Sequence, residues 1–336
     1  MKKLSVNLST KSYDIIIQKG IIEHIKDYIS LERHVLIIAD KNVPTKYVDT
    51  VYKQCSNATI HYIEPGEASK SFKVYEQICS ELLSLNFNRK DLIIALGGGV
   101  VGDLSGFVAA TYMRGIEFMS IPSTTLSQID SSIGGKVAIN LDNVKNIIGS
   151  FHHPSVVLID TELTNSLTKR HFNNGLIEAL KAGIIADPSL FELFLNNNIN
   201  ENLEEIIYKS LMVKKHIVEI DEKEQNERKL LNYGHTVGHA IESLNGLGGV
   251  YHGEAVGLGM LALTNNPEIH TKLIKILTKL EAPTTTQIDK TQAINLIKKD
   301  KKASINTISI ILVEEIGKAY IKEVNFKELE ELMEVN

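Results

Sequence analysis

"DLIIALGGGVVGDLSGFVAA", residues 91–110, is the stretch from which the fold can be read. A short apolar run bounded by glycines reads as a buried strand, the glycines as a tight turn, and the segment beyond them as a helix. Gly97, Gly99 and Gly102 satisfy G-x-G-x-x-G. Glycines let a backbone approach a pyrophosphate, and a helix N-terminus offers free N–H groups and a partial positive charge. The strand before and the helix after are the context that this fingerprint requires. The motif follows the third strand rather than the first, so an acidic ribose partner must come from an earlier strand end, where "IIADKN" supplies Asp40. A tight strand-to-helix turn without a ligand is the alternative.

Outward from this unit the same alternation recurs. Residues 34–40, 58–64, 91–97, 117–122 and 155–160 read as buried strands, with helical periodicity in "PTKYVDTVYKQC" and "SFKVYEQICSELLSL" between them. Strands alternating with helices imply a mostly parallel sheet covered on both faces. After about residue 165 the pattern turns to long helical segments, with a short late pair, "NTISIILV" and "KAYIKEV", that reads as a hairpin. The expected architecture is therefore α/β. Residues 1–160 form a parallel-sheet, dinucleotide-binding domain and residues 161–336 a mainly helical metal- and substrate-binding domain, with the boundary near residues 154–166.

Composition narrows the function. A chain of 336 residues, 43% apolar, can build one large domain or two ordinary ones. With 36 Lys plus Arg against 41 Asp plus Glu, the net charge of −5 gives no general attraction to nucleic acid or anionic membrane. Cys55 and Cys79 form no CxxC pair, which fits a reducing compartment. "MKKLSVNLSTKSYD" lacks the apolar core of a signal peptide, and no run approaches the roughly 18 apolar residues of a membrane span. The expectation is a cytoplasmic protein with a small-molecule substrate.

Three polar segments carry the chemistry. "SIPSTTLSQIDSSIGGKVAINLDNVKN" (120–146) combines hydroxyls and glycine with Asp130, Lys136, Lys145 and Asn146, the ingredients of a phosphate or carboxylate pocket in a loop after a strand. "LIEALKAG" sets Glu178 and Lys181 three residues apart among apolar neighbours, an odd setting for a solvated ion pair. "LNYGHTVGHAIE" (231–242) stacks His235 and His239 one turn apart, without the glutamate that makes H-E-x-x-H a protease motif. "YHGEAVGLGM" adds His252 and Glu254 at an apparent helix start. A glutamate plus two histidines is a recognised catalytic zinc set. Spacing alone does not choose between His235 and His239.

Taken together with "GEASKSF", "ATYMRG" and "KNIIGSFHHP", these stretches resemble the 3-dehydroquinate synthase family, in order and with family-like spacing over roughly residues 34–330. The resemblance implies a divalent metal, Zn²⁺ or alternatively Co²⁺, on Glu178, His235 and His252, leaving His239 beside a substrate phosphate. It places Asp130, Lys136, Asn146, Lys181, Lys214, Arg228 and Asn232 against substrate, with Lys136 and Lys145 also near the cofactor. It assigns NAD to Asp40, Asn42, Glu67, Lys70, Gly98, Gly99, Val100, Asp103, Ser123 and Thr124. Arg114 matches an arginine that crosses a homodimer interface, and Lys301 or Lys302 in "KKDKK" a lysine that closes over substrate. Ser123 stands where the family commonly has threonine, and the segment after "HGEAVGLGM" is shorter than expected.

The reaction so implied converts 3-deoxy-D-arabino-heptulosonate 7-phosphate (DAHP) into 3-dehydroquinate and phosphate. It proceeds through transient oxidation by NAD, elimination, re-reduction and aldol closure. Two enzymatic rivals share the architecture: a metal-dependent NAD polyol dehydrogenase and another sugar phosphate cyclase. A catalytically silent nucleotide-binding or scaffold protein is the rival from another class.

Overall fold

The computed structural model describes residues 1–142, 144–196, 198–245, 249–286, 290–300 and 307–334. Lys301 and Lys302 lie outside the described residues. The chain divides into two compact units, Met1–Thr168 and Lys169–Asn336. The division falls later than residues 154–166. The turn Thr161–Ser166 belongs to the first unit because Leu163 packs into that unit's core and Asp160 accepts hydrogen bonds from the Gly20 and Ile22 amides.

The first unit runs β1 (Lys2–Asn7), β2 (Ser12–Ile17), β3 (His34–Asp40), α1 (Thr45–Tyr52), β4 (Asn57–Ile63), α2 (Phe72–Ser84), β5 (Leu92–Gly97), α3 (Gly99–Thr111), β6 (Glu117–Pro122), β7 (Lys136–Leu141), β8 (Val144–Phe151) and β9 (Val156–Ile159). Seven strands form one sheet in the order β1-β2-β9-β6-β5-β3-β4, parallel except for the β1–β2 pair. All of β5 is buried, as a central parallel strand requires. Alternation along β3 shows how both faces are covered. Val35, Ile37 and Ala39 pack with Val48 and Val51 of α1, whereas Leu36 and Ile38 pack with Ile78, Leu82 and Leu104 of α2 and α3.

Two features differ from the sequence reading. β1 and β2 extend the sheet from an N-terminus that reads as polar, because β1 is an edge strand burying only Leu4 and Val6. The later part of the polar segment 120–146, read as a loop, belongs to a hairpin, β7 with β8, held against α3 by a close approach. A Cβ on Gly106 of α3 would lie 2.3 Å from Val137 Cγ1, so only glycine admits the hairpin there.

The second unit runs α4 (Lys169–Ala186), α5 (Pro188–Asn196), α6 (Leu203–Ile220), α7 (His235–Asn245), α8 (His252–Leu263), α9 (Pro267–Lys279), α10 (Lys290–Asp300), β10 (Thr307–Glu315), β11 (Lys318–Asn325) and α11 (Phe326–Glu334). α8 is buried along nearly its whole length and packs on α4, α7 and α9. Its glycines set the spacing. A Cβ on Gly253 would meet Asn174 O at 2.0 Å, and one on Gly259 would meet Gly234 O at 2.0 Å. Both neighbours are backbone, so the three helices approach more closely than alanine allows. Among the described residues no helix is long and apolar enough to cross a membrane.

Candidate active site

In the first unit, β3 is followed in sequence by β4 on one side of it and then by β5 on the other. That reversal is a topological switch point, where open parallel sheets bind ligands beyond their strand C-termini. The cofactor residues expected from the sequence cluster at this edge. Asp40 ends β3, Glu67 and Lys70 follow β4, Gly98–Val100 and Asp103 follow β5, and Ser123 and Thr124 follow β6. Asp40 Oδ1 accepts from the Asn42 amide at 2.8 Å, fixing the turn after β3. Gly98 caps α3 without a side-chain hydrogen bond, so the first-turn amides are left to a ligand. Side chains here would fill the cradle. A Cβ on Gly98 would reach 3.1 Å from Thr124 Cγ2, and one on Gly99 would reach 3.3 Å from Ser131 Oγ.

Lys70 organises this edge. It is 3% exposed, and its ammonium donates to Asp103 Oδ2 at 2.6 Å and to Asn146 Oδ1, with Glu67 Oε1 at 3.4 Å. Glu67, Lys70, Asp103 and Asn146 are thus one polar network. Asn140, which the sequence reading did not single out, ties it together. Its Nδ2 donates to Glu67 Oε1 at 3.0 Å and its Oδ1 accepts from the Asn146 amide at 2.9 Å. Asn146 itself sits at φ 57°, in the left-handed region. Thr124 has a local duty: its hydroxyl pairs with Ser127 Oγ at 2.8 Å and accepts from the Ser127 amide. That contact starts a π-helical turn, Ser127–Ser131, that carries Asp130. Such turns recur at functional sites. Lys136 and Lys145 are exposed on the hairpin, and Ser123 is buried with its amide donating to Gly97 O at 2.9 Å. Arg114 is exposed at φ 65°, next to Met113 at φ 50°.

In the second unit, α4, α7 and α8 bring Glu178, His235, His239 and His252 together. Nitrogens of the three imidazoles lie within 4.8 Å of one another. Glu178 Oε1 lies 3.5 Å from His235 Nε2 and 3.5 Å from His252 Nε2. Bonds of about 2.0–2.1 Å to a tetrahedral ion put ligand atoms roughly 3.3–3.4 Å apart, so these separations are those of a metal site. Both Glu178 oxygens are buried without a well-aligned hydrogen bond, and Lys181 Nζ stands 2.6 Å from Oε2 as an ion pair. The pair suspected of being misplaced on a surface is fully inside. The residues fit a divalent cation.

The far side of each imidazole is engaged. His235 Nδ1 contacts Tyr233 O at 3.2 Å, and His252 Nδ1 contacts Glu242 Oε2 at 3.0 Å. Such partners fix the ring so that Nε2 presents its lone pair. Glu242 is another residue the sequence reading missed, although it closes the quoted "GHTVGHAIE". His239 is exposed, unlike its two half-buried neighbours. Burial, with Lys181 nearby, pushes His235 down to about 3, keeping it neutral. His252 is shifted the other way: burial opposes its charge, but Glu178 and Glu242 raise it to about 10, so a cation taking its Nε2 would displace a proton. Glu178 is held well below the usual carboxylate range: burial opposes this, and Lys181 and the imidazoles outweigh it. Glu254, the other carboxylate of the motif, does not face this cluster; it pairs with Arg170 at 2.6 Å.

Lys181, Lys214 and Arg228 are all buried cations of this unit. Arg228 donates to Glu222 O at 2.5 Å, and Asn232 Nδ2 donates to Glu224 Oε1 at 2.8 Å.

Family profiles match residues 60–303 of the chain without a gap. The 3-dehydroquinate synthase N-terminal profile covers residues 60–174 and the C-terminal profile residues 175–303. The chain belongs to the 3-dehydroquinate synthase family. The 3-dehydroquinate synthase of Clostridium kluyveri is 40% identical, with 98% of this chain and 97% of that protein covered. Among solved structures, 2-deoxy-scyllo-inosose synthase in complex with carbaglucose-6-phosphate, NAD⁺ and Co²⁺ superposes at a TM-score of 0.88 with 23% identity, covering 99% of both chains. The 2-epi-5-epi-valiolone synthase of Streptomyces hygroscopicus, with NAD⁺ and Zn²⁺ bound, gives 0.84 at 23% identity, covering 97% of both. At that identity the likeness concerns the fold, an α/β unit followed by a helical one. The family's two profiles meet at residues 174 and 175, inside α4 and four residues before Glu178.

Proposed function

We propose that this chain is a 3-dehydroquinate synthase converting DAHP to 3-dehydroquinate and phosphate. NAD would lie at the carboxyl edge of the first unit's sheet and a divalent metal, Zn²⁺ or Co²⁺, on Glu178, His235 and His252. The observation that carries the reading is the position of Glu178 Oε1, 3.5 Å from the Nε2 of both histidines. Their Nδ1 atoms are engaged elsewhere, which supports these two rings with the buried carboxylate as the ligand set, and exposed His239 is assigned to the substrate phosphate. Bound at those sites, NAD would supply a reversible hydride acceptor and the metal a Lewis acid.

The chain's own residues handle charge and orientation. Lys181, buried against Glu178, offsets negative charge at the oxidised centre. Lys214 and Arg228 are assigned to the anionic groups of the substrate, whose charge offsets theirs. Asn232, fixed by Glu224, orients substrate hydroxyls, as does Asp130. Lys136, Lys145 and Asn146 take substrate and cofactor roles from the hairpin. Asp40 and Asn42 are assigned to the adenosine ribose, the α3 amides with Asp103 to the pyrophosphate, and Glu67, Lys70, Ser123 and Thr124 to the rest of NAD. We further assign the enzyme to the cytoplasm as a homodimer, with Arg114 acting in trans. Mixing inactive Arg114→Ala and Lys136→Ala proteins should restore activity in the heterodimer, and heterodimers that stay inactive would confine Arg114 to its own subunit.

The deciding experiment supplies NAD far below DAHP and follows phosphate and absorbance together. A cyclase returns its hydride, so phosphate release exceeds the NAD supplied and no NADH accumulates. One phosphate per NAD with accumulating NADH would instead identify a dehydrogenase.

A further inference from the structure

α4 carries more than Glu178 on the face it turns to α8. Arg170, Asn174 and Glu178 follow one another at i, i+4, which stacks them on one side of the helix. Asn174 is buried, and its Oδ1 accepts from the amides of Gly253 at 2.7 Å and Glu254 at 3.3 Å. These are two of the orphan donors at the start of α8. Arg170 forks onto the Glu254 carboxylate, Nε to Oε1 at 2.6 Å and Nη2 to Oε2 at 2.7 Å. Glu254 Oε2 also accepts from the Tyr251 amide at 2.9 Å, and the guanidinium lies 3.9 Å from the centroid of the Tyr251 ring. Residues 251, 253 and 254 are therefore tied, directly or through Glu254, to the α4 face that holds Glu178. His252 stands between them.

We propose that Arg170 and Asn174 are positioning residues of the metal site, holding the first turn of α8 in the register that places His252 beside Glu178. The proposal rests on the metal reading given above. An Asn at a helix start ordinarily satisfies amides and nothing more. What sets this one apart is its address. The cap comes from another helix, one turn from a metal ligand on its own helix, and it acts on the residue directly after a second ligand. Gly253 makes the contact possible, since a Cβ there would collide with Asn174 O. Arg170 then fixes the carboxylate that closes the turn, with a two-pronged geometry that lysine cannot reproduce.

The test uses the full chain, stripped by chelator and titrated with Co²⁺ while its visible absorption is followed, with Zn²⁺ competition for affinity. The parent should bind one equivalent with the bands of a low-coordinate site. Asn174→Ala and Arg170→Lys should each weaken metal binding by about 10–100-fold, as loss of outer partners does, and should alter the Co²⁺ spectrum. Asn174→Asp, which keeps the acceptor oxygen, should restore both. A role confined to holding the fold would lower the thermal midpoint of stripped protein and leave affinity and spectrum of the folded fraction unchanged; that result overturns the proposal. Should Asn174→Ala fail to fold, Arg170→Lys decides alone, and parent-like binding by it overturns the proposal. A parent that binds no stoichiometric metal overturns the metal reading itself, and this proposal with it.

Discussion

Gly259→Ala should abolish tight metal binding although residue 259 touches no ligand. An alanine Cβ there would lie 2.0 Å from Gly234 O and 2.8 Å from Gly238 N, both backbone atoms of the chain that carries His235. Real Cβ contacts do not fall below 3.0 Å, so α8 must retreat from α7 by about the missing ångström. Metal–ligand distances tolerate only about 0.2 Å. His252 rides on α8 and His235 on α7, so the retreat opens the site by several times that tolerance. Overpacking costs about 1–3 kcal/mol, partly offset by up to roughly 1 kcal/mol of helix propensity gained over glycine. The variant should therefore fold. Chelator competition should show a Zn²⁺ dissociation constant raised at least about 100-fold, the upper end of what outer-sphere changes cost. Added Zn²⁺ should raise the thermal midpoint of the parent and barely move that of the variant. Gly257→Ala is the control, because its Cβ would meet side-chain tips and no backbone, Leu277 at 3.0 Å and Ile177 at 3.6 Å, and side chains can give way. If Gly259→Ala binds Zn²⁺ as the parent does, close helix approach does not set the site and the reasoning is wrong.

Three further outcomes follow from the same structure. Glu178→Ala and His252→Ala should lose metal and turnover, whereas His239→Ala should keep its metal; equal metal loss in His239→Ala, measured by elemental analysis, would show that the wrong histidine was assigned to substrate. Lys70→Met should weaken NAD binding about ten- to hundred-fold, the worth of a lost charge-assisted hydrogen bond, and an unchanged titration would remove Lys70 from the cofactor site. Glu117 titrates below its ordinary 4.5: burial opposes this, but Ser155, Arg33 and Lys11 outweigh it. A depressed carboxylate stabilises the fold above its unfolded pKa and loses that contribution as pH falls through the folded one. The thermal midpoint of Glu117→Gln should thus fall short of the parent at neutral pH, and the gap should close as pH drops from 4.5 downward. A gap independent of pH would show that packing, not charge, is lost.

The parallel core was legible because its strands are buried on both faces and therefore read as unbroken apolar runs, "HVLIIAD" and "DLIIALG" among them. β1 and the β7–β8 hairpin were not. An edge strand buries one side, so "KKLSVN" shows two apolar residues where a central strand shows five or six. β8 is exposed along most of its length and carries almost no burial signal at all. What holds the hairpin in place is its partner β7, whose Val137 sits on a glycine of α3, and a contact between residues 106 and 137 has no period to betray it.

The candidate site divides along the same physical line. Glu178 and the histidines at 235, 239 and 252 were readable as candidates because carboxylate and imidazole are the chemistry of a metal centre, while the preference for His235 over His239 came from the family resemblance alone. The parts that make them a site are chemically anonymous. Gly253 and Gly259 look like poor helix formers in "HGEAVGLGM", and Asn174 looks like any polar residue in "HFNNGLIEAL". Their roles exist only as distances between helices: a backbone oxygen so close that a methyl group would lie 2.0 Å from it, and 2.7 Å from an amide to an oxygen one turn away from a ligand. His239 shows the converse. By sequence it is the equal of His235, and its exposure sets it apart. In this fold the sequence advertises which atoms can bind a metal, while close backbone approach, supplied by residues with no chemistry of their own, determines which of them meet.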